Sequence, residues 1–68
     1  MVKVRFSASG FGSTTYEYAD EESARAAMRC DAREVADEHG GKANEAGDEI
    51  VVARPGGEEI ARWELEKS

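Results

Sequence analysis

The chain has 68 residues and a formal net charge of −6 at pH 7, with one cysteine and one histidine. This length predicts a single domain, residues 1–68, and one cysteine excludes an intramolecular disulfide. The longest apolar run, residues 50–53, is far shorter than the roughly 20 residues that span a bilayer, so no membrane segment is expected. A reducing cytoplasm is the expected location.

The first 19 residues predict a β-hairpin. Apolar residues at Val2, Val4 and Phe6 alternate with polar ones, which is typical of a half-buried strand. A glycine-rich break at 10–12 is followed by a second alternating run, 13–19, with β-branched and aromatic residues.

A helix is predicted from Asp20 to His39. Asp20 is a good N-cap, and the acidic residues that follow it favour the positive end of the helix dipole. The segment is rich in alanine and has no glycine or proline before Gly40, which supplies a C-terminal stop. At 100° per residue, one stripe contains Ala24, Met28, Ala32, Val35 and His39.

The remaining residues predict strands at 42–46 and 49–54, a turn at 55–57 and a last alternating strand around Trp63. The fold class is therefore α+β: an antiparallel sheet of four or five strands with one helix on one face, in the order ββαββ or ββαβββ. The predicted core is Val2, Val4, Phe6, Tyr16, Tyr18, Met28, Val35, Ile50, Val52, Trp63 and Leu65.

Negative charge is concentrated in the middle of the chain. Residues 17–49 contain eleven carboxylates against four cations, whereas residues 1–16 contain only two cations. Such asymmetry indicates a basic partner and argues against direct binding to nucleic acid or an anionic membrane.

One edge of the predicted helix carries Asp31, Glu34 and Glu38 at i, i+3 and i+7, a spacing that keeps them on one side. We expect this row to be extended by Glu45, Asp48 and Glu49. A rigid row of carboxylates can imitate the phosphates that a basic groove of a partner binds. The alternative is that the row is an ordinary solvated surface. A second helical row, Arg25, Arg29 and Arg33, is expected to pair within the helix, with Glu21 and Asp37 among its partners.

Two further contact surfaces are candidates. Phe11 lies between glycines on a loop, where an aromatic side chain either anchors in a partner's pocket or folds back over the core. On the sheet face away from the helix, Val51, Ala53 and Ile60 are expected to lie together, uncovered by any second helix, and to form a contact surface.

No residue pattern indicates catalysis, a metal or a cofactor. A single His39 and a single Cys30 fall short of a zinc-ligand set, and their helical phases separate them too widely for a nucleophile–base pair. We therefore expect a protein that is not an enzyme and that uses no cofactor.

The format of the chain resembles the small, acidic, phage-encoded anti-CRISPR proteins: one alanine-rich helix, Asp20 to His39, among short strands, without an enzyme motif. The resemblance implies an inhibitor that occupies the nucleic-acid channel of a CRISPR effector, in some members with carboxylates that imitate phosphates. Two alternatives stay open: a designed or minimal scaffold without a ligand, and an antitoxin-like regulatory subunit. Either a monomer or a homodimer is compatible with the sequence.

Overall fold

The computed structural model describes residues 1–67, in which one helix packs on one face of a five-stranded antiparallel sheet. This confirms the α+β class, and of the two predicted orders the chain adopts ββαβββ. The elements are β1 (Val2–Ala8), β2 (Gly12–Tyr18), α1 (Glu21–His39), β3 (Lys42–Ala46), β4 (Glu49–Ala53) and β5 (Glu59–Lys67). In space the strands follow the order β2-β1-β5-β4-β3, so the last strand lies at the centre.

The first hairpin forms as predicted. Seven consecutive pairs join β1 to β2, from Val2 opposite Tyr18 to Ala8 opposite Gly12, without a register shift. The turn is closed by the Phe11 amide, which donates to the Ala8 carbonyl at 3.0 Å. Gly10 adopts a φ of 83°, a left-handed conformation that side chains disfavour, which explains a glycine at this turn.

The helix begins and ends at the predicted residues. The Asp20 side chain accepts a hydrogen bond from the Ser23 amide at 2.7 Å, which satisfies one free donor of the first turn. Gly40 ends the helix in the left-handed conformation. Gly41 then passes so close to β4 that a Cβ there would collide with the carbonyl oxygen of Ala53.

The core lies between the helix and the centre of the sheet. Small helical side chains let the helix lie directly on the sheet, with Met28 the largest of its buried residues. Six predicted core residues are buried, and Val2, Phe6, Tyr18 and Val35 are partly buried against them. The buried residues are Val4, Ala24, Met28, Ala32, Ala36, Ile50, Val52, Ala61, Trp63 and Leu65.

Two side chains depart from the predicted pattern. Tyr16 is 47% exposed, so its placement in the core is wrong: it lies on β2, an edge strand at the margin of the helix. The buried helical stripe ends at Ala36, and His39 of the predicted stripe is exposed. Within residues 1–67, no helix combines the length and the apolarity needed to cross a lipid bilayer.

Candidate functional site

A groove runs between one side of the helix and the β1–β2 hairpin. We call it the acidic groove, because the three helical carboxylates predicted to form a row, Asp31, Glu34 and Glu38, all line it. Its volume is about 220 Å³, less than the 300–1,000 Å³ of most small-molecule pockets. A space of this size suits one or two side chains of a partner. Its lining is Phe6, Tyr16, Asp31, Glu34, Val35, Glu38 and Trp63.

Aromatic rings form the floor and the outer wall of the acidic groove. Phe6 and Trp63 are cross-strand neighbours, and their ring centroids lie 4.9 Å apart with the planes tilted by 43°. This packing fixes the floor, because Trp63 is almost fully buried. Tyr16 stands half-exposed on β2 at the opposite wall from the helix. Carboxylates and aromatic side chains that line one groove are a favourable surrounding for a cation.

The carboxylates of the groove keep their negative charge unpaired. Among residues 1–67, none of the three forms an ion pair. The pKa of the Tyr18 phenol on β2 lies above its ordinary value. Burial raises this pKa most, and the nearby negative charge of Asp31 raises it further. The groove therefore presents a local excess of negative charge beside apolar surface.

Glu45 does not extend this row. It lies on β3 beneath the opposite side of the helix, where Arg29 meets it with two nitrogens, Nε at 2.9 Å and Nη2 at 3.0 Å. These hydrogen bonds hold the pKa of Glu45 below its ordinary value. The prediction that Arg29 pairs within the helix is wrong, since its partner comes from the β3–β4 hairpin.

Asp48 is neutralised in the same way by Arg25. The Arg25 guanidinium forms an ion pair with Asp48, donates to the Gly47 carbonyl at 3.1 Å, and reaches Glu21 at 3.0 Å. The last of these is the predicted pair within the helix. Arg33 and Asp37, also expected to pair, are not within ion-pair distance in the described part of the chain. The arginine side of the helix thus binds the β3–β4 turn, and the acidic side stays open.

The sheet face away from the helix is polar. Glu49 projects there and pairs with Arg62 at 2.9 Å, so it too lies apart from the helical row. Arg62 also binds Glu59 at 2.8 Å, and Arg5 binds Glu66 at 2.9 Å. The pairs of Arg62 lie beside Val51, which is directly opposite Arg62 and only partly exposed. This face therefore carries several ion pairs, with partly exposed apolar residues such as Val51 between them.

Ile60 is only partly exposed. A register shift interrupts the pairing of β4 and β5 at Val52 and Ala53, next to Ile60. Ile60 packs partly buried against the core and lines the same depression as Val35 and His39 of the helix. Val51, Ala53 and Ile60 are each partly exposed, and their use as a contact surface stays a prediction.

Phe11 is the most exposed large apolar side chain within residues 1–67, at 88%. It does not fold back over the core, so that alternative is wrong. It borders a second depression of about 410 Å³, whose lining shares Phe6 and Val35 with the acidic groove. An apolar surface therefore continues from the acidic groove to the hairpin tip, a continuity that sequence alternation alone did not reveal.

No group of three or more His, Cys, Asp or Glu residues within residues 1–67 is arranged to hold a metal ion. Comparisons of the chain with protein-family models, curated proteins and solved structures found no match. The function is therefore argued from the geometry of the site.

Proposed function

We propose that this protein binds a basic surface of a partner protein through the acidic groove. The single observation that carries the proposal is the combination of three unpaired carboxylates with an aromatic floor in one groove. Such a groove favours Lys or Arg, because the carboxylates attract the charge while the rings pack against the side-chain stem.

The partner we propose is a nucleic-acid-binding protein whose cationic site is blocked. Asp31 and Glu38 are seven residues apart, which places them about 10 Å apart along the helix axis. Phosphates on one strand of DNA advance by about 3.4 Å per nucleotide, so three carboxylates cover the length of about three nucleotides. A site that holds phosphates with Lys and Arg can hold this row instead. The resemblance to anti-CRISPR proteins makes a CRISPR effector the first partner to test.

The distribution of the other charges supports the choice of this surface. Carboxylates at Glu45, Asp48 and Glu49 are occupied by Arg29, Arg25 and Arg62. An approaching basic surface would have to displace those arginines, whereas at the acidic groove it finds carboxylates without a partner. Attraction is therefore stronger at the groove than at these three paired carboxylates.

The test compares two variants with the same change of charge. Glu34→Lys/Glu38→Lys reverses the charge of the acidic groove. Asp37→Lys/Glu58→Lys reverses two exposed carboxylates that form no ion pair within residues 1–67 and do not line the groove. With a purified candidate effector, we expect the groove variant to bind at least about tenfold more weakly than the native chain. The control variant should bind within a few-fold of it.

A second readout tests inhibition. The native chain should displace a fluorescent nucleic acid from the effector, and Glu34→Lys/Glu38→Lys should not. Equal binding by the two variants would show that charge acts without regard to place, which contradicts the acidic groove as the site.

A further inference from the structure

The two edges of the sheet differ in how well they are protected. β3, at one edge, has five residues, and its Glu45 points toward the helix, where Arg29 binds it. Short edge strands and inward-pointing charges are devices that prevent another strand from pairing. The edge at β3 is therefore protected against pairing with a strand of another chain.

β2, at the other edge, carries none of these devices. It has seven residues, pairs with β1 without a bulge, and contains no proline and no lysine. Its only charged residue is Glu17, and all its side chains except that of Tyr18 are exposed. Because β2 has a neighbour on one side only, alternate N–H and C=O groups along it point outward and are open to a further strand.

The open edge lies beside the acidic groove. Tyr16 belongs both to β2 and to the wall of the groove. A strand added to β2 would lie about 4.8 Å farther out and would present alternate side chains on the helix side. Two such side chains stand about 7 Å apart and three span about 14 Å, which brackets the roughly 10 Å row from Asp31 to Glu38.

We propose that β2 receives an extended basic segment of the partner as a sixth strand, with Lys or Arg at alternate positions facing the acidic row. This inference rests on the proposed function and specifies the form in which the basic partner binds. Backbone hydrogen bonds to β2 supply affinity, and the alternate cations supply specificity.

Charge favours this occupant over a second copy of the chain. Two β2 strands paired antiparallel about a two-fold axis would place both helices on the same face of a ten-stranded sheet. The two rows of unpaired carboxylates would then face each other across the shared strands. A basic segment removes that repulsion, and a second acidic chain adds to it.

The experiment uses four synthetic seven-residue peptides with the same Arg and Thr composition and equal charge, three of them with Arg and Thr in alternation, measured against the full chain by calorimetry. One is the parent, one is N-methylated on every Arg, one is N-methylated on every Thr, and one has all its Arg residues consecutive. In an added strand, only one set of alternate amides faces β2. We expect one methylated peptide to lose at least about tenfold in affinity and the other to stay near the parent. The consecutive peptide should also bind more weakly than the parent.

Equal binding of both methylated peptides, or no binding of the parent, would overturn strand addition. In that case, loss of partner binding by Glu34→Lys/Glu38→Lys would still support the proposed function, so the two failures are distinguishable. Amide exchange of the free chain completes the test: a dimer whose alternate β2 amides are already protected would identify a second copy as the occupant and overturn the inference.

Discussion

At Gly41, the approach of the backbone to β4 decides which residue is tolerated. This glycine does not have a positive φ, so its role is not conformational. It is the nearness of the Ala53 carbonyl that excludes a side chain. The same chain offers a glycine without that constraint, because nothing lies within contact distance of a Cβ at Gly56.

Gly41→Ala should therefore destabilise the protein by about 1–3 kcal/mol, the usual cost of forcing a methyl group into a packed site. Gly56→Ala should be neutral or should stabilise by up to about 1 kcal/mol, since alanine restricts the unfolded chain. Urea unfolding of both variants measures the difference. Equal midpoints would show that β4 moves aside freely.

Met28 and Phe11 provide a second contrast between apolar residues. Met28 is almost fully buried, whereas Phe11 is among the most exposed side chains. Met28→Ala should lose about 2–5 kcal/mol of unfolding free energy. Phe11→Ala should change it by no more than about 0.5 kcal/mol. A large loss at Phe11 would indicate that the hairpin tip packs on the core in solution.

Among the elements, the helix and the β3–β4 hairpin are joined by ion pairs on the arginine side. Hydrogen bonds from Arg29 lower the pKa of Glu45, and those from Arg25 and Lys67 lower the pKa of Glu21. A carboxyl whose pKa is lower in the folded chain contributes stability above its unfolded pKa, about 4.3 for Glu. That contribution is lost as the pH falls through the folded value.

Arg29→Gln should therefore lower the urea midpoint at pH 7, and its difference from the native chain should shrink as the pH falls through the lowered folded-state pKa of Glu45. Arg33→Gln is the matched control, because Arg33 forms no ion pair within residues 1–67. The difference at Arg33 should be small at pH 7 and in acid. A difference at Arg29 that persists in acid would contradict an electrostatic contribution from Glu45.

The elements themselves were predictable because their signals are local. Alternation predicts β1, and the Asp20 cap and the glycines after His39 predict the helix. The partners of Arg29 and Glu45 were not predictable, because they depend on which hairpin lies under the helix. The exposure of Tyr16 depends in the same way on the position of β2 at the edge of the sheet. The order of strands in a sheet cannot be inferred from the alternation of residues within one strand.

The candidate site was predictable in part. Helical spacing places Asp31, Glu34 and Glu38 on one side, as the groove requires. Its aromatic floor arises from pairing between Phe6 and Trp63, which are far apart in sequence. Alternation marks both residues as core, and only the tertiary fold brings them into the same groove as the carboxylates.

For the whole molecule, the separation of charge across the helix predicts how binding responds to salt. Raising salt from about 0.01 M to about 1 M shortens the Debye length from about 30 Å to about 3 Å. The association rate with a basic partner should fall by at least about tenfold over this range, with a smaller change in the dissociation rate. Stopped-flow or surface-binding kinetics would measure both. A salt-independent association rate would indicate that apolar contacts govern the encounter.

The central position of β5 has a consequence for synthesis. β5 pairs with β1 on one side and with β4 on the other, and it supplies Ala61, Trp63 and Leu65 to the core. The strand that joins the two hairpins is thus made after both of them. While a ribosome still holds β5, the earlier hairpins lack their shared neighbour, and the helix lacks the buried side chains of Ala61, Trp63 and Leu65. The sheet can therefore be completed only after β5 has been translated. Until then, the unpaired edges of β1 and β4 are exposed to non-native pairing and aggregation, which chaperones or rapid folding would limit.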